Sequence, residues 1–111
     1  MTARFEQKVG VYEGRTHLLF WEARPNLDEL DEFVVNLSYA DFAGVDPQRI
    51  QIVRIDNVDK PLHMDQLWKE GRPKQWLDWS GSRWEQFSRA LEELHDNWRL
   101  YAERWERHRG Y

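Results

Sequence analysis

Four side chains able to move a proton or grip an anion fall within one short run, RIDNVDKPLHMD: Arg54, Asp56, His63 and Asp65. In extended chain, side chains repeat every two residues. Arg54 and Asp56 therefore share a face, and so do His63 and Asp65. If the two strands pair through a turn at residues 57–61, all four groups converge. His63 is then placed for proton transfer near neutral pH. Asp56 or Asp65 can orient it, and Arg54 with Lys60 can hold a phosphate. Such a set suits the binding or cleavage of a phosphodiester. The same residues have an ordinary structural use, because Asp-Asn is common turn chemistry and an Arg–Asp pair on a sheet face is often a solvated ion pair. A divalent ion held by His63-x-Asp65 would be a third use; no resident metal or cofactor is expected.

No other motif competes. The chain has no phosphate-binding glycine loop, no nucleophile elbow and no H-E-x-x-H zinc motif. His17 and His95 read as partly buried structural residues, and His108 falls near a helix C-terminus, where positive charge is favourable.

The elements that must position the run are mostly strands. Residues 4–12 alternate, with Phe5, Val9 and Val11 on one face and Glu6, Lys8 and Tyr12 on the other. Gly14 supplies the positive φ of a tight hairpin into residues 16–23. Arg24-Pro25-Asn26 ends that strand, and the acidic stretch 27–32 reads as a loop or a single helical turn. Residues 33–42 put Phe33, Val35, Leu37 and Tyr39 on one face, with Asn36 and Ser38 on a wet one. Residues 50–56 are rich in β-branched side chains and read as a central strand. Residues 62–68 make a fifth strand, 70–74 a loop, and 75–79 a lead into a helix.

That helix is predicted over about residues 82–108. Ser82 and Glu85 form an S-x-x-E capping box. Trp84, Phe87, Leu91, Leu94, Trp98, Tyr101 and Trp105 follow at steps of three and four, one stripe along a helix face. Glu85–Arg89, Arg89–Glu93 and Glu103–Arg107 have the i,i+4 spacing of surface ion pairs, and Gly110 marks a stop. The expected fold class is α+β: an antiparallel meander of about five strands with one long amphipathic helix across one face.

The 111 residues make one domain, 1–111, with room for a core. With no cysteine, disulfides and cysteine-ligated zinc are excluded. The N-terminus has no apolar signal region and no run is long enough to span a membrane, so a soluble, cytoplasmic protein is expected. The net charge of -4 gives no general pull toward nucleic acid, and DNA is not expected as a partner. Charge is unevenly placed, however. Residues 22–32 hold five carboxylates against Arg24, whereas residues 99–111 hold four arginines against Glu103 and Glu106.

Seven tryptophans are many for this length. Some must fill the core, but aromatic side chains are also enriched at interfaces. A helix of about 26 residues spans about 39 Å, against about 20 Å for six-residue strands. The overhang would leave Trp98, Tyr101 and Trp105 to be covered by a second copy of the chain, by a partner protein, or by a loop of the chain itself.

The run VRIDNVDKPLHMD, with a terminal amphipathic helix after it, resembles the TumE-like toxins of prokaryotic toxin–antitoxin pairs and related small proteins of unknown function. The resemblance covers roughly residues 50–105. That group shows an Arg-aromatic-Asp-Asn strand end, then one or more histidines, then a helix. Arg54, Asp56, Asn57 and His63 match; Ile55 replaces the aromatic, and His63 stands alone. The resemblance implies a toxin acting on RNA or translation, with a cognate antitoxin as partner. The alternative is a non-catalytic interaction module, a homodimer or heterocomplex joined through the tryptophan-rich helix.

Overall fold

The computed structural model describes residues 2–42 and 44–108. Six strands come first: β1 (Ala3–Tyr12), β2 (Arg15–Arg24), β3 (Glu32–Asp41), β4 (Gln48–Asp56), β5 (His63–Asp65) and β6 (Lys74–Trp76). They pair antiparallel in chain order, a pure meander. Two helices follow, α1 (Arg83–Asp96) and α2 (Trp98–His108). The α+β class and the antiparallel sheet with helices at the C-terminal end are as the sequence pattern predicts. The sixth strand and the division of the helix are not.

The β1–β2 hairpin turns on Glu13 and Gly14, with φ of 53° and 74°. Two consecutive positive φ angles match the right-handed twist of the strands they join. At Val9 the β1–β2 register slips between Lys8 and Gly10. A bulge of this kind inverts the alternation beyond it, so Tyr12 packs against the core while Val11 is exposed, the reverse of the simple period-two reading.

One face of the sheet carries the core. Leu19, Phe33, Val35, Leu37, Tyr39, Val53, Ile55 and Met64 meet Phe87, Ala90 and Leu94 of α1 and Tyr101 and Ala102 of α2. The helix begins as its capping box dictates, with the Glu85 amide donating to Ser82 Oγ and the Ser82 amide donating to Glu85 Oε1. It is interrupted at Asn97, which has φ -114° and ψ 15°. There the Asn97 side-chain amide donates to the Glu93 carbonyl at 3.0 Å and to its carboxylate at 3.2 Å. Such local bonding competes with the helix ladder. α1 packs on β2 and β3, and α2 reaches β4 and β1.

This packing corrects the expectation of an overhanging helix. β1, β2 and β3 are ten residues each, which at about 3.3 Å per residue is about 33 Å, well beyond the six-residue strands assumed. Both helices have sheet beneath them, α1 on β2 and β3 and α2 on β4 and β1. Trp98 lies on Gly10 and on the His17 ring, Tyr101 is 3% exposed against Trp68, and Trp105 is half-buried against Tyr39. The three residues expected at an interface are packed within the chain. Gly110, the expected helix stop, lies outside the described residues, as does Arg109.

Candidate functional site

Among the described residues no helix covers the second face of the sheet, and the polar run lies there. Antiparallel register makes directly opposed residues share a face. One cross-strand row is Asn36, Arg54, Asp65, Lys74; the next is Val34, Asp56, His63, Trp76. β4, a turn and the three-residue β5 thus bring Arg54, Asp56, His63 and Asp65 together. The expected fifth strand is short, β5 alone, because the chain turns away after Asp65 and returns as β6, read from sequence as loop and helix lead. β6 adds two side chains to the cluster, Lys74 and Trp76.

The contacts form one connected set. Arg54 Nε lies 3.0 Å from Asp56 Oδ2, and Arg54 Nη2 donates to Asp65 Oδ2 at 2.8 Å. Lys74 Nζ donates to Asp65 Oδ1 at 2.6 Å. Asp56 Oδ1 accepts from the Val58 amide at 3.1 Å, which ties the carboxylate to the turn that follows it. His63 Nδ1 is 2.9 Å from the Pro61 carbonyl oxygen. A carbonyl can only accept, so Nδ1 carries the hydrogen, and Nε2 is the basic nitrogen of the neutral ring. Nε2 faces Asp56 Oδ2 and Asp65 Oδ2 at 3.6 Å each. Imidazole and both carboxylates are buried, His63 to 2% exposure. Burial would raise the Asp65 carboxyl, but the hydrogen bonds from Lys74 and Arg54, with the charges of Arg54 and His63, together hold it below its ordinary value.

Charge explains why this burial is tolerated. Two carboxylates are balanced by Arg54 and Lys74, and every carboxylate oxygen has a donor or cation beside it. The same three groups, Asp56, His63 and Asp65, offer one ligand atom each within 4.8 Å of one another. That donor set would suit a divalent ion, yet Arg54 already bridges the two Oδ2 atoms a metal would use.

Beside the cluster opens a recess of about 290 Å³ lined by Arg24, Val34, Arg54, Asp56, Lys60 and His63 among others. Lys60 is exposed in the turn, and Trp76 is 58% exposed with its ring edge-on to His63 at 5.6 Å. Sequence reasoning named Arg54, Asp56, Lys60, His63 and Asp65; the first four line this recess, and Asp65 joins them through its contacts with Arg54 and Lys74. It missed Lys74, Trp76 and Arg24. No burial pattern marks Lys74 and Trp76 in the sequence, since all three residues of β6 are exposed.

Asn36 and Ser38, expected on a wet face, are buried there instead, and Asn36 Oδ1 and Ser38 Oγ have no hydrogen-bond partner. Glu6 of β1 pairs with Arg49 of β4 over the two strands between them. Strands lie about 4.8 Å apart, so the two side chains lie flat across that part of the face.

A family model described as a domain of unknown function (DUF7718) matches residues 4–111, and the chain belongs to that family. No curated protein and no solved structure matches the chain.

Proposed function

We propose that this DUF7718 chain acts on RNA at the recess beside His63. The observation that carries the reading is a buried imidazole whose basic nitrogen faces two carboxylates, set on the floor of a recess with cationic walls. Arg54, Lys60 and Lys74 supply the positive groups for a backbone phosphate. Trp76 offers an exposed ring on which a base can stack, and stacking of this kind is a main term in single-strand binding. The recess has room for a phosphate and a sugar, with the base outside it.

The chemistry that fits is transfer of the phosphodiester to the adjacent ribose hydroxyl. The hydroxyl proton passes to the Asp56–His63 pair, the oxygen bonds to phosphorus, and the leaving oxygen takes a proton from solvent. Asp56 and His63 both line the recess, with Asp56 as the first acceptor of the proton and His63 as the proton store beside it. A role as a toxin acting on RNA or translation has its support in the VRIDNVDKPLHMD resemblance.

His63→Asn tests the reading. It should abolish cleavage of a labelled single-stranded RNA and leave RNA affinity within a few-fold. Lys60→Ala should do the opposite, raising KM with kcat little changed. Undiminished cleavage by folded His63→Asn, or no cleavage by the unaltered protein on any single-stranded RNA, would sink the catalytic reading.

The interaction-module alternative draws support from a surface other than α2. A groove of about 530 Å³ between β1 and α1 is lined by Phe5, Leu19, Trp21 and Leu91, and Phe5 is half exposed. Phe5→Glu should abolish any self-association seen by light scattering. A strict monomer at high concentration removes the homodimer form.

A further inference from the structure

On the helix side of the β5–β6 edge lies a second recess, of about 580 Å³, between the end of the sheet and the α1–α2 junction. Four cations line it: Lys69, Arg89, Arg104 and Arg107. Glu93, the one carboxylate lining it among the described residues, is already engaged. Tyr101 Oη donates to one of its oxygens at 2.7 Å, and Asn97 Nδ2 donates to the other at 3.2 Å.

The four cations have no such partners. The spacing along the helix predicts Glu85–Arg89, Arg89–Glu93 and Glu103–Arg107 pairs, yet none forms among the described residues, and no carboxylate there pairs with Lys69 or Arg104. Two arginines lie on aromatic faces instead. The Arg89 guanidinium is 4.2 Å from the Trp79 ring centroid, and that of Arg104 is 5.6 Å from Trp68 and 5.5 Å from Tyr101. Stacking fixes a guanidinium plane while leaving its N–H edge free, which is the pre-organisation that phosphate recognition uses. Lys69, Arg89 and Arg107 are exposed, so their charge is open to solvent. On a chain of net charge -4, this is a local excess of positive charge that no carboxylate among the described residues neutralises by direct pairing.

We infer that this recess binds a ligand carrying two or more neighbouring phosphates, as in an RNA strand or a nucleotide polyphosphate. The inference deepens the RNA reading by giving the nucleic acid an anchor apart from the His63 recess. The two recesses are back to back across β6, since Lys74 lines one and Gln75 the other.

The test is fluorescence polarisation with a labelled 12-nucleotide single-stranded RNA, with ATP and pyrophosphate as competitors. The variant is Arg89→Gln/Arg107→Gln, two exposed side chains whose loss should lower the thermal melt only slightly, through the Arg89–Trp79 contact. RNA affinity should fall by about tenfold or more, as expected when charge-assisted hydrogen bonds are removed. The slope of log K against log salt should shrink by about 1.4, at about 0.7 per phosphate contact on a single strand. Competition by ATP or pyrophosphate that the double variant abolishes, without loss of RNA affinity, would identify the nucleotide as the source of the phosphates. Equal binding of all three probes by the variant and the unaltered protein, or no binding of any by the latter, overturns the inference. His63→Asn should not change affinity at this recess, so failure of the catalytic reading leaves it standing.

Discussion

Replacing Gly10 by alanine puts the placement of Trp98 to a direct test. An ideal Cβ on Gly10 would stand 2.4 Å from Trp98 Cζ2, 2.8 Å from Cη2 and 3.3 Å from Cε2. Carbon atoms in contact prefer about 3.5–4.0 Å, so the indole must retreat by about 1 Å. It has little freedom to do so, because it stacks at 5.3 Å on a His17 ring that is itself buried. Gly10 does not have the positive φ that penalises a side chain. At such a site alanine ordinarily stabilises by about 0.4–1 kcal/mol through the unfolded state. Overpacking of a fitted core costs about 1–3 kcal/mol. The contact wins, and Gly10→Ala should destabilise by about 1–2 kcal/mol. Urea unfolding followed by tryptophan fluorescence reads this as a lower midpoint at unchanged slope. In a Trp98→Leu background the cost should vanish or reverse, giving a coupling of about 1 kcal/mol or more. A neutral or stabilising Gly10→Ala in the presence of Trp98 would refute the packing and return that indole to the surface, where a partner could use it.

Three further outcomes follow from the same geometry. Ser82→Ala removes the acceptor for the Glu85 amide and should cost about 1 kcal/mol by chemical denaturation. His17 is held below its ordinary value of 6.5, chiefly by burial, against the raising effects of its hydrogen bond to the Arg15 carbonyl and of Glu106. The native state thus prefers neutral His17. Its contribution to stability is full above 6.5 and is lost as pH falls from there toward the native value. A midpoint-against-pH curve should show that loss, and His17→Phe should flatten it. Asp65 is also lowered, with burial opposed and outweighed by Lys74 and Arg54. Its stabilisation is present above the unfolded carboxyl value of about 3.9 and is lost as pH falls through the native one. Asp65→Asn should remove this more acidic step and leave the His17 step in place.

The candidate site was legible because period-two alternation needs only sequence. Arg54 and Asp56, then His63 and Asp65, had to share faces once the intervening turn closed, and register did the rest. β6 was not legible, since three exposed residues carry no burial pattern. The bulge at Val9 has no composition signature in this chain, and it inverts every assignment after it on β1. The capping box and the stripe located the helices correctly, but the stripe runs without a break through Asn97, where a side-chain amide bonded to Glu93 interrupts the helix. The overhang of the helix came from setting it against six-residue strands, although the alternation at residues 4–12 and 33–42 already marks strands close to the ten residues of β1 and β3.

The two faces of the sheet differ in a way that bears on function. The helix-covered face is apolar from Leu19 to Met64 and accounts for the core. The bare face buries an imidazole and two carboxylates at β4 and β5. A buried ionic cluster is seldom a net stabiliser, and well-packed apolar side chains in its place are often neutral or better. β5 and β6 are three residues each and add little core beyond Met64. The fold therefore gains little from this arrangement, and what it does gain from the ion pairs is set against the desolvation of three ionisable groups. The proposed phosphate-holding, proton-moving site would use the Nε2 beside two carboxylates, the exposed ring of Trp76 and the exposed Lys60 together.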